Sequence, residues 1–457
     1  MVAECHNTRR DAVKRLESEH SMGERLDRWF RLRDRGTDVA TELRAGVVTF
    51  LTMAYILFVN PQILAQSGMP AQDVAVATAV AAAVATLFMG LVANYPFALA
   101  PGMGLNAYFT FGVVIGLGVS WQTALAAVFI EGLLFLVLSV SGVRTALLAA
   151  IPRSIKLATM AGIGLFLAVI GLANAGLVVD HPETLVALGD VRQPAVLLAL
   201  AALLVLGALQ AARVRGSILI TIAVATAIAW AAGLAPPPER LVTLPALPTE
   251  TLLAFDFSAL LTGKLVVVVF AFLFVDIMDT AGTLIGVGHL GGFVNERDEL
   301  PRANRAFAAD AVGTTVGAAL GTSTVTSYVE SATGVEEGGR TGLTAVVVAL
   351  LFAASLFFTP LFIAVPPLAT APALVVVGAL MMRGSRDVDW RDLDDGLPAF
   401  LTIAAMPFTY SIANGISLGV LSWVALKVLR GKVAQVHPML MALTVLLVVF
   451  YGFFGAH

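Results

Sequence analysis

Long apolar runs separated by short polar ones make up almost the whole chain. Stretches of the roughly 17 to 25 residues that cross about 30 Å of hydrocarbon recur at 44–66, 73–93, 121–140, 154–177, 193–212, 216–234, 264–288, 303–320, 341–359, 366–383, 397–412, 414–430 and 437–455. Each predicts a spanning helix, because lipid offers backbone polar groups no partner outside the segment itself. Two stretches, around 97–117 and 322–338, break the pattern. In the first, YPFALAPGMG carries Pro96, Pro101, Gly102 and Gly104 and cannot be regular helix, whereas LNAYFTFGVVIG after it can. In the second, the β-branched run GTSTVTSYV predicts extended chain, and ESATGVEEGG a short helix behind it. Irregular backbone persists at membrane depth only where protein buries it or it lines a cavity. Interrupted segments in matching places of two halves predict a transporter-type site near the midplane, built by an inverted repeat.

Composition agrees. The 457 residues are 58% hydrophobic and only 13% charged, with a mean hydropathy of +0.88, values of an integral membrane protein and not of a soluble domain. A net charge of -3 with no basic tract beyond the N-terminal segment gives no footprint for nucleic acid. Cys5 is the single cysteine, so neither a disulfide framework nor a thiolate metal site can form. There is no His or Cys cluster at metal spacing and no G-x-S-x-G, and the GMG and GVG clusters lack the Lys-Ser/Thr of a phosphate loop. An enzyme is therefore not expected, and neither is a cofactor.

Residues 1–43 are too charged for a signal peptide and predict a cytoplasmic tail with an amphipathic helix through RLDRWFRLRDRG. Arg25, Arg28, Arg31, Arg33 and Arg35 share a predicted side with Arg144, Arg153 and Lys156, with Arg213 and Arg215, with Arg297, Arg302 and Arg305, and with Arg383, Arg386 and Arg391. The alternate loops VVDHPETLVALGDVRQ and LAPPPERLVTLPALPTE are poor in Lys and Arg. By the positive-inside rule the N-terminus faces the cytoplasm.

Within the span 264–288, FLFVDIMDTAG places Asp276 and Asp279 three residues apart, on neighbouring positions of one helix face that Thr280 and Thr283 extend. A carboxylate at the bilayer centre costs about 2.5 to 3.5 kcal/mol even on the lenient insertion scale. No basic residue follows Lys264 in this run, so an ion pair within the segment does not explain the two acids. Close, buried acids do not readily ionise together, which is what proton coupling needs. Glu330 opens the short helix after GTSTVTSYV, where free N–H groups favour acceptors, with Tyr328 and Ser331 flanking it. Asn106 begins the matching helix of the first half, where a plain N-cap is the competing reading. Glu131, in the unbroken AAVFIEGLLF, reads as a tie between helices, and Glu336, Glu337 and Arg340 as solvated residues.

Five motifs in order, TELRAGVVTFLTMAYILFVNPQIL, ALAPGMGLNAYF, FVDIMDTAGTLIGV, TSTVTSYVESATGVEEGGRTGL and MPFTYSIANGISLGV, resemble the AzgA-like branch of the nucleobase–cation symporter-2 family, the adenine/guanine/hypoxanthine permeases. The resemblance runs from about Arg31 to the C-terminus. It implies an all-α, uracil-permease-like fold of fourteen transmembrane segments as two inverted seven-segment repeats, in which segments 3 and 10 are a short strand plus a half-helix. It further implies a core domain at 44–140 and 264–359 and a gate domain at 141–263 and 360–457. The implied activity is secondary active import of a purine base across the cell membrane by proton symport, with alternating access of the elevator kind; relatives of this fold are often homodimers through the gate. On that pattern Asp276 and Glu330 hold the base with Asn106, Ser331 and Thr280 around them, and Asp279, together with Asp276, handles the proton. Aromatic side chains such as Phe50, Tyr55, Phe109 or Phe274 would stack on the base. A uracil, xanthine or anion carrier on the same fold and a channel are the competing readings.

Overall fold

The computed structural model describes residues 24–141, 151–258, 263–295 and 300–454. Cys5, Arg144, Arg297 and the first half of the polar tail lie outside the described residues. Nine helices among those described are long and apolar enough to cross a membrane.

The expected tail helix through RLDRWFRLRDRG covers only residues 24–30. Arg31 takes a φ of 58° and a 3-10 turn follows at Arg33–Arg35. The cause is packing: Phe30 and Leu32 both bury against Leu343, and residues two apart cannot share a helix face.

In the first half, helix α1 (Val39–Met53) is capped by Asp38, which accepts from Thr41 N at 2.9 Å. A break at Ala54 and Tyr55 separates it from α2 (Ile56–Ala65), and α3 (Ala71–Phe88) ends in a π turn through Ala93. Strand β1 (Leu99–Pro101) leads into α4 (Met103–Ala107), which widens into π helix as far as Ile115, and α5 (Trp121–Ser141) closes the unit. After α6 (Arg153–Asn174) comes a hairpin of β2 (Val178–His181) and β3 (Leu185–Leu188), where the polar, Pro-containing sequence predicts only a loop. Helices α7 (Pro194–Ala211) and α8 (Ser217–Ala231) end the half.

The second half repeats the strand-plus-short-helix plan, with no hairpin among its described residues. Its elements are α9 (Gly263–Gly291), α10 (Ala303–Leu320), β4 (Val325–Ser327), α11 (Ser331–Glu336), α12 (Gly342–Ser355) and α13 (Thr359–Ala364), then α14 (Pro367–Met381), α15 (Leu393–Phe408), α16 (Ile412–Leu429) and α17 (Pro438–Phe454).

At the centre β1 and β4 pair antiparallel, with Leu99 opposite Ser327, Ala100 opposite Thr326 and Pro101 opposite Val325. The ladder continues past both strand ends: Gly102 N donates to Thr324 O, and Tyr328 N to Ala98 O, each at 2.9 Å. A two-stranded ribbon still leaves outer N–H and C=O groups to satisfy, and at this depth no water is on hand. A threonine from a neighbouring helix does it on each side. Thr86 of α3 accepts from Leu99 N and donates to Leu99 O, both at 2.9 Å. Thr314 of α10 accepts from Val325 N at 3.1 Å and donates to Val325 O at 3.0 Å. Because Leu99 and Val325 are the first residues of their strands, the two arrangements are related by one local two-fold axis.

Glycines set the closest helix contacts. A Cβ on Gly90 of the α3 extension would lie 2.6 Å from Gly342 O at the start of α12, and one on Gly164 of α6 would lie 2.5 Å from Gly378 O in α14. Backbones this close gain dispersion and weak polar contacts that apolar lipid does not match.

Candidate functional site

The acids cluster around the strand pair, yet Asp276 and Asp279 differ in the partners that act on them most strongly. Three helical residues advance the chain by about 300°, which leaves the two carboxylates roughly 60° apart around α9. Asp276 is fully buried and faces Glu131 of α5 and Asp310 of α10. Apart from the Glu131 carboxyl, neither of its oxygens meets a described hydrogen-bond donor. Glu131 Oε2 accepts from Thr324 Oγ1 at 3.3 Å, which ties α5 to the approach of β4, and its carboxyl lies within hydrogen-bonding reach of that of Asp276. Asp310 accepts a very short hydrogen bond from the Thr280 hydroxyl, which in turn receives Ser327 N at 3.4 Å.

Asp279 turns the other way. It faces Glu330, with the Thr326 hydroxyl beside it, and both it and Glu330 are partly accessible. Residues of β4 alternate in direction, so Thr324 and Thr326 point to one side of the strand and reach Glu131 and Asp279 respectively. Glu330 stands immediately before α11 but does not cap it. Its Oε1 accepts instead from Tyr55 Oη at 2.6 Å, at the break between α1 and α2.

Other residues expected at the site are occupied in the framework. Ser331 is buried and its Oγ accepts from Ala98 N at 2.9 Å, so it joins α11 to the approach of β1. Thr280 is spent on Asp310 and Ser327. Asn106, fully buried, accepts from the Ser323 hydroxyl while its Nδ2 has no described partner. It sits in the first turn of α4 rather than at its cap, which is Gly102. Among the aromatic candidates, Phe50 pairs with Phe352 and Phe274 with Phe270, whereas Tyr55 meets the site through its hydroxyl.

The fold matches solved membrane transporters. The transmembrane domain of a cyanobacterial bicarbonate transporter, BicA, superposes with a TM-score of 0.62 at 16% identity, over 83% of this chain and 97% of that one. Murine Slc26a9, an anion transporter in the inward-facing state, gives 0.62 at 12% identity over 86% of this chain and 68% of that one. At such identities the likeness concerns the fold alone. Sequence decides the family: a profile for xanthine and uracil permeases, described as "Permease family", matches residues 40–418. The chain belongs to the nucleobase–cation symporter family of permeases. This permease is 44% identical to a guanine/hypoxanthine permease of Bacillus subtilis, PbuO, over 91% of its own length and 98% of that protein's. It is 40% identical to the adenine permease AdeP of Escherichia coli, over 94% and 97%. The permease is thus a multi-pass membrane protein and a transporter, not an enzyme.

Two participants lie outside the residues the sequence singles out. Asp310 lies in the span RAFAADAVGTT and carries the same signal as Asp276, an ionisable side chain inside an apolar helix. Glu42, in TELRAG, is fully buried and accepts from Arg340 N at 2.8 Å, Thr344 N at 3.1 Å and Thr344 Oγ1 at 2.6 Å, anchoring the start of α12 from 298 or more residues away. No local pattern announces such a partner.

Proposed function

We propose that the permease imports purine nucleobases across the cell membrane by proton symport, with its N-terminus in the cytoplasm. The observation that carries the substrate is the facing pair of partly accessible acids, Asp279 and Glu330, in a chain so similar to permeases named for adenine, guanine and hypoxanthine. A purine base is flat and edged with adjacent N–H groups, and carboxylates in a dry site are strong, geometry-selective acceptors for them. Tyr55 holds Glu330 in place, and the Asn106 amide, with its free donor, is available to a ring nitrogen or carbonyl. Ser331 and Thr280 keep the strand pair in register instead of touching the base.

Coupling falls to the buried side of α9. Asp276, Glu131 and Asp310 crowd together with no described Lys or Arg reaching them, so a proton is the natural counter-charge. Asp276 and Asp279 share one helix, and a proton taken by the first alters the field at the second. This division of labour reverses the one implied by resemblance, because accessibility to a ligand belongs to Asp279 and seclusion to Asp276.

The grouping of the helices supports a reading of alternating access. Helices α1 to α5 and α9 to α12 pack closely among themselves, as do α6 with α14 and α15, and α15 with α16, while contacts between the two sets are sparse. The first set is the core that carries the base and the second the gate. An anion cargo is disfavoured because Glu330 and Asp279 would repel it.

Reconstituted protein under an inward proton gradient should concentrate labelled adenine, guanine or hypoxanthine. No uptake of any purine sinks the substrate assignment, and uptake indifferent to a protonophore sinks the coupling. Asp276→Asn should retain base binding and exchange but lose concentrative uptake; equal loss of all three would return Asp276 to the binding site.

A further inference from the structure

We infer that the face carrying the N-terminal segment holds a second ligand site, for a phosphate-bearing anion, distinct from the acids at the strand pair. A cavity of about 760 Å³ opens there between the tail, the end of α3, the end of α9 and the start of α10. Among the described residues five arginines line it, Arg31, Arg35, Arg302, Arg305 and Arg340, and no acid does.

Arginines gather on cytoplasmic faces of membrane proteins as a rule, so their number alone says little. Their arrangement says more. None of the five forms an ion pair with a carboxylate of the described residues. Four are instead held by backbone carbonyls. Arg35 donates to Asn94 O at 3.1 Å and Arg340 O at 2.9 Å, Arg302 to Asn94 O at 3.3 Å, Arg305 to Val92 O at 3.4 Å, and Arg340 to Val335 O at 2.6 Å. The Arg302 guanidinium also lies 4.6 Å from the centre of the Tyr95 ring, and that of Arg35 5.9 Å from it.

Carbonyl and ring contacts orient guanidinium groups without neutralising them. Arg35 and Arg302 therefore repel each other while half-buried. Glu42, the described acid whose charge reaches Arg35, is already engaged by the N–H and hydroxyl groups at the start of α12. Fixed forks of N–H donors converging on one polar concavity suit phosphate oxygens, which they bind bidentately. The volume admits a multiply charged group such as a pyrophosphate or a lipid headgroup and exceeds what a single small ion fills. Its floor is Asn94, a left-handed residue with φ 52° that ends α3 and launches the chain into β1.

Purified protein tests this. Inorganic pyrophosphate is titrated calorimetrically against detergent-solubilised protein, and retention of phosphatidylglycerol over phosphatidylcholine is measured by native mass spectrometry from mixed nanodiscs. Arg302→Gln with Arg305→Gln should weaken whichever probe binds by about tenfold or more, given the strength of charged hydrogen bonds. Arg305→Gln alone, at an exposed residue with one long backbone bond, should weaken it by a smaller factor in protein that elutes as wild type, which separates lost binding from lost folding. Arg383→Gln with Arg386→Gln removes the same charge elsewhere on the face and should change nothing. Saturable pyrophosphate binding without lipid assigns a free phosphate ligand, and selective phosphatidylglycerol retention alone assigns a headgroup. Absence of saturable binding of both probes, or equal weakening by the two double substitutions, overturns the site.

Discussion

The two broken segments share one backbone plan and almost no chemistry. Leu99 and Val325 begin their strands alike, each clasped by a threonine hydroxyl from the helix before it, and the ladder bonds of Gly102 and Tyr328 correspond. Side chains then diverge. The first segment runs FALAPG where the second runs STVTSY, and its hydroxyl-free surface packs while the other reaches Asn106, Glu131 and Asp279. The position matching Glu330 is Gly104, where any Cβ would collide with Ile163 of α6. One half-helix lets a neighbouring helix press against bare backbone, and the other presents a carboxylate. Repetition supplied the scaffold here, and loss of symmetry supplied the site.

The largest expected effect breaks that asymmetry at its polar end. Charged hydrogen bonds contribute about 1.5 to 3 kcal/mol each, so Glu330→Gln should lower purine uptake by roughly a hundredfold or more through lost binding, with Asn106→Ala costing about tenfold in the same vesicle assay. Comparable losses in the two variants would make the segments functional equals. The shared backbone is probed next. Thr86→Val and Thr314→Val each orphan an N–H and a C=O at the first strand residue, about 1 to 3 kcal/mol per group, and thermal unfolding should fall by similar amounts in both. A loss confined to one would refute the two-fold correspondence.

A smaller change refines the site itself. Tyr55→Phe removes the hydrogen bond to Glu330 and should raise the KM for the base by about three- to tenfold, with the maximal rate nearly unchanged; an unchanged KM would show that Glu330 needs no support. The smallest effect concerns an acid of the opposite kind. Asp394, in the first turn of α15 and ahead of the apolar stretch 397–412, accepts from Lys432 at 2.7 Å, Arg430 at 2.5 Å and Lys427 at 3.2 Å, and these cations hold its carboxyl well below the usual carboxylate range. A depressed acid stabilises the fold above its unfolded pKa of about 3.9 and loses that contribution as pH falls through the folded value. Asp394→Asn should therefore lower thermal stability evenly from pH 5 to 8, and the gap from wild type should narrow only in stronger acid. A gap that closes nearer neutrality would remove the ion-pair explanation.

Much of the fold was legible in the chain. Helix limits such as 303–320 and 193–212 fall within a residue of Ala303–Leu320 and Pro194–Ala211, because spanning length and hydrophobicity are local quantities. Proline and β-branched residues likewise marked both broken segments. The tail helix is shorter than its local pattern predicts, since the burial of Phe30 and Leu32 depends on Leu343, and the β2–β3 hairpin forms where the polar sequence predicts only a loop.

From sequence alone come the membrane, the interrupted segments and the cost of Asp276, Asp279 and Glu330, because each depends on residue type and spacing along one segment. Tertiary structure alone decided which carboxylates face one another. A helix turned by about 60° between Asp276 and Asp279 sends one toward Glu131 and Asp310 and the other toward Glu330. Those partners lie on α5, α10 and beside α11, and only the packing of these elements around the strand pair brings them there.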